Sequence, residues 1–134
     1  MTLKAMVPLV ALLLSGGCAL VDSGTPWESG PFKLHWIDDP GSVSLLQAEG
    51  ARHFTEVVPA QVFAVGLDAR FLVAQQHPGG DPRITHYFVV DRASEQALRL
   101  DPARVTGPLT EAEFQLRAKQ WGLPPFSKVL AALK

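Results

Sequence analysis

The sequence has little of what usually identifies a function. Its single cysteine, Cys18, cannot form an internal disulfide, so the fold must be held together by burial of apolar side chains. No run of lysines and arginines is present, and 12 basic residues nearly balance 13 acidic ones. A nucleic-acid-binding surface is therefore not expected. No apolar run reaches the roughly 18 residues that a transmembrane helix requires.

Motifs of catalysis and cofactor binding are also missing from the sequence. It contains no G-x-S-x-G elbow, phosphate-binding loop, H-E-x-x-H pair, dinucleotide fingerprint or EF-hand spacing. Asp38 and Asp39 precede Pro40 and Gly41, and we interpret these carboxylates as turn formers rather than as calcium ligands or an acid–base pair. The sequence therefore predicts that the protein is not an enzyme and that it needs no cofactor.

Residues 1–17 have the layout of an export signal. Lys4 supplies a positive N-terminal charge, and residues 5–14 are apolar or small, a run too short to cross a bilayer of about 30 Å. Small residues then lead to Cys18, and this arrangement resembles a lipobox, where bacteria attach diacylglycerol to the cysteine sulfur and cleave just before it. The resemblance implies that Cys18 is lipidated and that several acyl chains anchor the mature protein to a membrane.

Two other interpretations of the N-terminus stay open. A lipobox usually has a large aliphatic residue three positions before the cysteine, whereas Ser15 stands there and Leu14 lies one place further back. An ordinary signal cleaved after Ala19 would release a soluble periplasmic protein, and an uncleaved apolar helix would bury Cys18. Because Ala19 rather than Asp follows the cysteine, resemblance to proteobacterial sorting rules favours the outer membrane of the bacterial cell envelope, facing the periplasm.

The mature chain divides into a tether and one small domain. Residues 18–30 combine glycine, serine, proline and acidic residues without apolar periodicity, which is typical of a tether. Residues 31–134 alternate apolar and polar positions or form β-branched runs between turn signals, which predicts strands. The strands are expected at 32–37, 43–47, 54–58, 61–65, 70–77 and 84–91, with a short edge strand at 97–100.

The apolar period changes near the C-terminus. Thr110 and Glu113 fit a capping box at the start of a helix that ends at Gly122. A second short helix is expected, with one apolar face formed by Phe126, Val129, Leu130 and Leu133. Strands first and helices last predict an α+β fold: an antiparallel β-meander sheet of five or six strands with the C-terminal helices packed on one face.

Two segments of the predicted meander support this fold class. FAVGLDARFLVAQQHP (63–78) and ITHYFVVD (84–91) resemble segments of small uncharacterised bacterial lipoproteins. The resemblance covers about 30 residues of the chain. It implies a similar fold class and brings no known activity with it.

Four residues of the mature domain are candidates for a binding site. If residues 77 and 84 face each other across a hairpin, His77 and His86 are diagonal neighbours on one sheet face, roughly 7–8 Å apart, where two imidazoles can share a metal or move a proton. A slip of one residue separates them, and no third ligand has a recognisable spacing, so no metal is predicted. Trp36 and Tyr87 are candidate anchors for a protein partner, with core packing as the alternative for each.

These observations predict a non-catalytic, membrane-anchored lipoprotein of the bacterial envelope that binds another envelope protein, in an assembly, inhibitor or immunity role. The alternative is a periplasmic domain that binds or senses a small ligand or a metal, and a hydrolase is a distant third. A deep apolar pocket would favour the small ligand, whereas a solid core and a flat surface would favour the protein partner. The expected partners are the membrane, through the lipid, and a protein.

Overall fold

The computed structural model describes residues 22–92 and 101–134, which form two antiparallel β-sheets and one α-helix. The first sheet contains, in spatial order, β1 (Ser23–Ser29), β2 (Phe32–Ile37), β3 (Ser44–Ala48) and β4 (Phe54–Val58). The second contains β8 (Val105–Leu109), β7 (His86–Asp91), β6 (Phe71–Gln76), β5 (Val62–Leu67) and β9 (Lys128–Val129). Helix α1 spans Glu111–Trp121. Cys18 and the edge strand predicted at 97–100 lie outside the described residues.

Two apolar cores hold these elements together in three layers. The larger core lies between the sheets, where Phe32, Leu34 and Leu45 of the first sheet meet residues of the second. The second-sheet members of this core are Val62, Val65, Leu72, Ala74, Phe88 and Val90. The smaller core lies on the other face of the second sheet, beneath α1, and consists of Phe71, Val73, Tyr87, Val89, Leu109 and Phe114.

The predicted α+β class with antiparallel strands is confirmed, and the strands divide into two sheets rather than one. The meander β5–β6–β7 and the helix packed on its outer side agree with the sequence. Strands β5 to β7 are apolar on both faces, so each face needs a cover, and the first sheet covers the face opposite the helix. This division is why Tyr87 and Phe88 are both buried although they point to opposite faces.

The tether predicted for 18–30 needs correction over its second half. Residues 23–29 form strand β1, which pairs antiparallel with β2 from Ser23↔Ile37 to Ser29↔Phe32. Trp27 lies opposite Leu34 and packs partly buried against the larger core. The polar composition of this segment therefore reflects an edge strand, in which most side chains remain in solvent, rather than a free linker.

The second predicted C-terminal helix is absent from the described residues. Two prolines at 124–125 keep the chain extended, and the edge of β5 offers backbone groups that need partners. Ser127 N donates to Val65 O (3.0 Å) and Leu130 N donates to Phe63 O (2.7 Å), which creates the short strand β9. The apolar residues of the expected helical face separate around this edge, because Phe126 joins the smaller core while Leu130 and Leu133 pack against the larger one.

Strand β8 was not expected from the sequence, because Gly107 and Pro108 are poor strand formers. A proline lacks the N–H that a central strand requires, yet it is tolerated at an edge. Strand β8 is an edge strand, and its ladder with β7 shifts register between Tyr87 and Val89. Leu109, the only buried residue of β8, completes the smaller core.

Candidate functional site

The outer face of the first sheet is a mixed apolar and charged surface. We define this outer face by six side chains that point away from both cores: Lys33, His35, Ile37, Leu46, Phe54 and Glu56. The strand register brings them together, because Lys33 lies opposite Leu46, and Leu46 lies opposite Glu56. The alternate positions Phe32, Leu34 and Leu45 point inward and are buried.

Phe54 is the exposed aromatic residue of this outer face, at the start of the edge strand β4. Its side chain is 45% exposed, and the ammonium of Lys33 lies 3.7 Å from the ring centroid. A cation at this distance is attracted to the ring and holds it in one orientation. Ile37 is 57% exposed on the same face. The arrangement presents an ordered aromatic ring and aliphatic groups among charges, which is the composition of many protein interfaces.

His35 contributes a polar group to the outer face. The hydroxyl Oγ1 of Thr25 lies 2.9 Å from its Nδ1, a hydrogen bond between neighbouring strands. Partial burial, together with the nearby Lys33 ammonium, lowers the pKa of His35 below the usual range of histidine. The outer face therefore carries little positive charge from this side chain at neutral pH.

A second surface feature is a cleft of about 280 Å³ at one end of the second sheet. We call it the end cleft. It lies where β6 begins, β7 ends, β8 begins and α1 ends. Its walls are formed by Arg70, Phe71, Val89, Asp91, Ala103, Arg104, Thr106 and Trp121. The rings of Phe71 and Trp121 stack nearly parallel there, with centroids 5.8 Å apart and an interplanar angle of 9°.

Two guanidinium groups give the end cleft a positive character. The Arg70 guanidinium lies 4.8 Å from the Phe71 ring centroid. Arg104 Nε lies 3.8 Å from Asp101 Oδ2, a distance at which the charges attract without a hydrogen bond. Arg104 Nη1 is buried and has no hydrogen-bond partner among the described residues. A buried charged donor without an acceptor is costly, so this nitrogen marks a place where an acceptor would be stabilising.

The two histidines singled out from the sequence lie on opposite faces of the second sheet. The residue opposite His86 is Gln76. The observed register differs by one residue from the register that would make the two imidazoles neighbours. A slip of one residue moves every side chain to the other face, so the register does not bring His77 and His86 together as the sequence suggested. Within 22–92 and 101–134, no group of three or more metal-binding side chains comes together.

His77 packs as a core residue. It is 4% exposed, and its ring stacks on Phe63 with a centroid distance of 4.1 Å. Its Nδ1 donates to the carbonyl oxygen of Ile84 (2.9 Å), which ties the loop before β7 to the end of β6. Its Nε2 is buried and has no partner in the described part of the chain. His86 is half-buried at the start of β7.

The two aromatic candidates also belong to the interior. Tyr87 is 8% exposed and stacks on Phe114 of α1 with ring centroids 4.7 Å apart. Trp36 points inward, packs partly buried against the larger core, and covers Gly24, where a Cβ would lie only 2.5 Å from the indole Nε1. Neither side chain forms an exposed anchor, and the alternative of core packing describes both.

Sequence reasoning missed the residues that the structure leaves on these two surfaces. Phe54 and Glu56 are two residues apart in β4, so they lie on the same face of the strand. This spacing indicates a mixed exposed face, although nothing in the sequence says which face of the sheet is covered. Arg70 and Arg104 come from separate turns, and no spacing in the sequence predicts that they meet. Trp121 has the helical spacing of a core residue, yet it is 37% exposed and lines the end cleft.

The helices in the described ranges include none long and apolar enough to cross a membrane. The pattern of a protein family described as "Protein of unknown function (DUF3997)" matches residues 30–128. Comparison with curated proteins and with solved structures finds no match. The matched range begins just before β2 and ends in β9, so it covers both sheets apart from β1.

Proposed function

The chain belongs to the DUF3997 family, whose function is unknown, and we propose that it is a non-catalytic lipoprotein of the bacterial cell envelope that binds another envelope protein. The observation that carries the proposal is the outer face of the first sheet, on which Phe54 is exposed next to the Lys33 ammonium. The lipobox-like sequence before Cys18 supplies the anchor. Ala19, which stands after the cysteine in place of an Asp, favours an outer-membrane position facing the periplasm.

A lipid on Cys18 would keep the domain close to the bilayer. Strand β1 begins at Ser23, five residues later, and an extended chain covers at most about 3.5 Å per residue. The first residue of the strand is then held within roughly 17 Å of the Cα atom of Cys18, whatever path the chain takes. A protein held this closely meets partners that lie at the membrane surface, which is the setting of envelope proteins.

The anchor also gives the domain a direction. Ser23 pairs with Ile37, and Asp38 N donates to Asp22 O (2.6 Å), so the first described residues lie beside the turn at 38–42. The end cleft lies at the opposite ends of the strands, near Arg70 and the start of β6. The outer face of the first sheet runs between these two ends and stands to one side of the anchor.

The chemistry of the outer face fits a protein partner. Ile37, Leu46 and Phe54 supply apolar groups, and Lys33 and Glu56, on either side of Leu46, supply charges of both signs. Apolar and charged groups mixed in this way match the composition of a non-obligate protein–protein interface, which is about as apolar as the rest of a protein surface. The partner expected here presents an apolar patch of its own, flanked by a carboxylate for Lys33 and a cation for Glu56.

Site-specific cross-linking in the bacterium that produces the protein tests the partner. The photoreactive residue p-benzoylphenylalanine is placed at Phe54, and as a matched control at Ile84, which is equally exposed at 45% but lies in the loop before β7. We expect a cross-linked envelope protein from position 54 only. Co-purification of that protein should be lost in Phe54→Ser and kept in Ile84→Ser.

Other outcomes of the cross-linking count against the proposal. A product with the mass of two copies of this chain would mean that the outer face mediates self-association. Equal products from positions 54 and 84 would mean that the cross-links reflect crowding rather than a binding surface. Absence of any product at position 54 in intact cells would contradict a partner on this face.

Metabolic labelling tests the anchor separately. The wild type should incorporate labelled palmitate and sediment with membranes, and Cys18→Ala should lose the label. Ser15→Leu, which supplies the aliphatic residue three positions before the cysteine, should keep the label and serves as the control. Labelling that persists in Cys18→Ala would disprove lipidation at this residue.

A further inference from the structure

We propose that the end cleft is a binding site for a carboxylate attached to an apolar or aromatic group. This site is separate from the outer face of the first sheet and lies at the end of the domain away from Ser23. The proposal rests on the juxtaposition of Arg70 and Arg104 with the stacked rings of Phe71 and Trp121 around one space of about 280 Å³. That volume is close to the lower end of small-ligand pockets.

Arg104 indicates that the ligand carries an oxyanion. A guanidinium has five N–H donors in a planar fork that matches a carboxylate. Arg104 Nη1 is buried without a partner among the described residues, and Asp101 stands 3.8 Å from Nε, too far for a hydrogen bond. Arg104 lines the end cleft and its side chain is 31% exposed, so the accessible part of the guanidinium can pair with an oxyanion held there.

The charge of the walls favours a monovalent anion. Among the described residues, the lining contains two cations, Arg70 and Arg104, and one carboxylate, Asp91, which leaves one positive charge in excess. Asp101 lies beside Arg104, and the Arg117 guanidinium lies 4.9 Å from the Trp121 ring centroid. A carboxylate matches this excess, whereas a phosphate dianion would exceed it.

The aromatic walls indicate an apolar body on the ligand. Trp121 is 37% exposed although it lies in a helix whose other aromatic residue, Phe114, is buried. Its ring and that of Phe71 provide flat apolar surface next to the guanidinium groups, with Val89 and Ala103 continuing it. A ligand with a carboxylate at one end and an aromatic or aliphatic group at the other can contact both the guanidinium groups and the aromatic rings of the end cleft.

Calorimetric titration of the full chain in a non-ionic detergent tests the site. The probe is hippurate, an aromatic carboxylate, and its neutral amide is the matched control ligand. We expect saturable binding of hippurate, no binding of the amide, and a loss of about tenfold or more in affinity in Arg104→Gln and in Arg70→Gln. Arg52→Gln, in the turn between β3 and β4, should bind like the wild type.

The source of the carboxylate is decided in a second arm of the experiment. Acetyl-Gly-Gly-Phe with a free C-terminus is compared with hippurate and with its own C-terminal amide. Tighter binding of the peptide acid would identify a chain terminus as the natural ligand class, whereas equal or weaker binding would identify a small free acid.

Three results would overturn the carboxylate site. They are equal binding of hippurate and its amide, unchanged affinity in both arginine variants, and tighter binding of phenyl phosphate than of hippurate. Because Arg70 is exposed, Arg70→Gln tests the site even if Arg104→Gln fails to fold. The absence of saturable binding by the wild type would also reject the proposal.

Discussion

Gly66 lies in β5 where the C-terminal segment passes closest to the second sheet. A Cβ at this position would lie 1.9 Å from the carbonyl oxygen of Pro125 and 3.1 Å from Phe126 Cα. Both atoms belong to the backbone, so neither can move aside as a flexible side chain would. The small residue is required here by contact rather than by a left-handed backbone, since its φ is not positive.

We therefore predict that Gly66→Ala lowers the free energy of unfolding by about 3 kcal/mol, the upper end of overpacking effects. The displaced segment includes β9, whose pairing with β5 should weaken. Gly41→Ala is the control, because the nearest atom there is the side-chain Asp39 Oδ1 at 3.2 Å. Urea unfolding measures both, and equal stabilities of the two variants would contradict the contact.

Asp68 orders the turn between β5 and β6 through its carboxylate. Oδ1 accepts hydrogen bonds from Phe71 N (2.7 Å) and Arg70 N (2.8 Å). The bond from Phe71 is the largest cause that lowers the pKa of Asp68, followed by the bond from Arg70 and the positive charges of Arg92 and Arg70. Because these bonds stabilise the charged form, folding is favoured when the carboxyl is ionised.

The sign of the pH dependence follows from this lowered pKa. The folded protein binds the Asp68 proton less readily than the unfolded chain, whose pKa is about 3.9. The stabilisation is therefore present above about pH 5 and is lost as the pH falls through the lowered folded pKa. Asp68→Asn should unfold at lower urea concentration than the wild type at pH 7, and the difference should shrink at acidic pH. A difference that is constant with pH would point to a steric cause.

At the scale of elements, helix α1 depends on its N-terminal cap. Thr110 Oγ1 accepts from Glu113 N (3.2 Å), and Thr110 N donates to Glu113 Oε1 (3.1 Å). The hydrogen bonds from Thr110 also lower the pKa of Glu113. Gly122 ends the helix in a left-handed conformation, which glycine adopts without strain. The helix contributes Phe114 to the smaller core. A less stable helix therefore also weakens the packing against the second sheet.

Replacement of the capping residue gives the prediction for this element. Thr110→Ala should lower the free energy of unfolding by about 1 kcal/mol, because an N–H of the first turn loses its acceptor. Thr110→Ser retains a hydroxyl and should restore most of that loss. Thermal or urea unfolding of the three proteins measures the effect. A serine variant as unstable as the alanine variant would show that the methyl group of Thr110, not its oxygen, matters.

The pairing of β6 with β7 is also decided at the scale of elements. The loop from His77 to Thr85 includes a 3₁₀ turn at Pro78–Gly80, and Asp81 Oδ1 accepts from Arg83 N (3.0 Å). These local hydrogen bonds fix how many residues the loop contains before the chain re-enters the sheet. The length of the loop in turn sets the register Gln76↔His86. The sequence predicted both strands. The observed pairing differs from the predicted one by one residue, and this difference places His77 and His86 on opposite faces of the sheet instead of on the same face.

At the scale of the whole molecule, lipidation of Cys18 would orient the domain on the membrane. The turn at 38–42 lies beside the first described residues, whereas the turn between β3 and β4 lies at the other end of the first sheet. Strands of five or six residues separate these ends by roughly 20 Å. One end of the domain is then nearer to the bilayer than the other.

Energy transfer to a labelled bilayer tests this orientation. If Cys18 is acylated as proposed, its thiol is blocked, and a new cysteine in Ser42→Cys or Arg52→Cys is then the sole site for a donor dye. We expect stronger transfer to an acceptor lipid from position 42 than from position 52 in reconstituted vesicles. Equal transfer from both would mean that the domain tumbles freely about its anchor, and the reverse order would contradict the predicted direction.

Local patterns in the sequence determined several parts of this protein correctly. Alternation of apolar and polar residues located β2, an apolar β-branched run located β5, turn signals on either side located β6 and β7, and Thr110 with Glu113 located the start of α1. Each of these signals depends on neighbours within a few residues of the chain. The same local reading also identifies the lipobox-like sequence at Cys18, which stays a prediction.

Only the tertiary structure decided what depends on distant residues. The division into two sheets follows from the need to cover both apolar faces of β5 to β7. The conversion of 128–129 into a strand follows from the open edge of β5, and the burial of Tyr87 follows from the helix above it. The end cleft joins Arg70 with Arg104, which are far apart in the chain. No local pattern carries this information, because packing, register and edge pairing are properties of elements that meet only when the chain is folded.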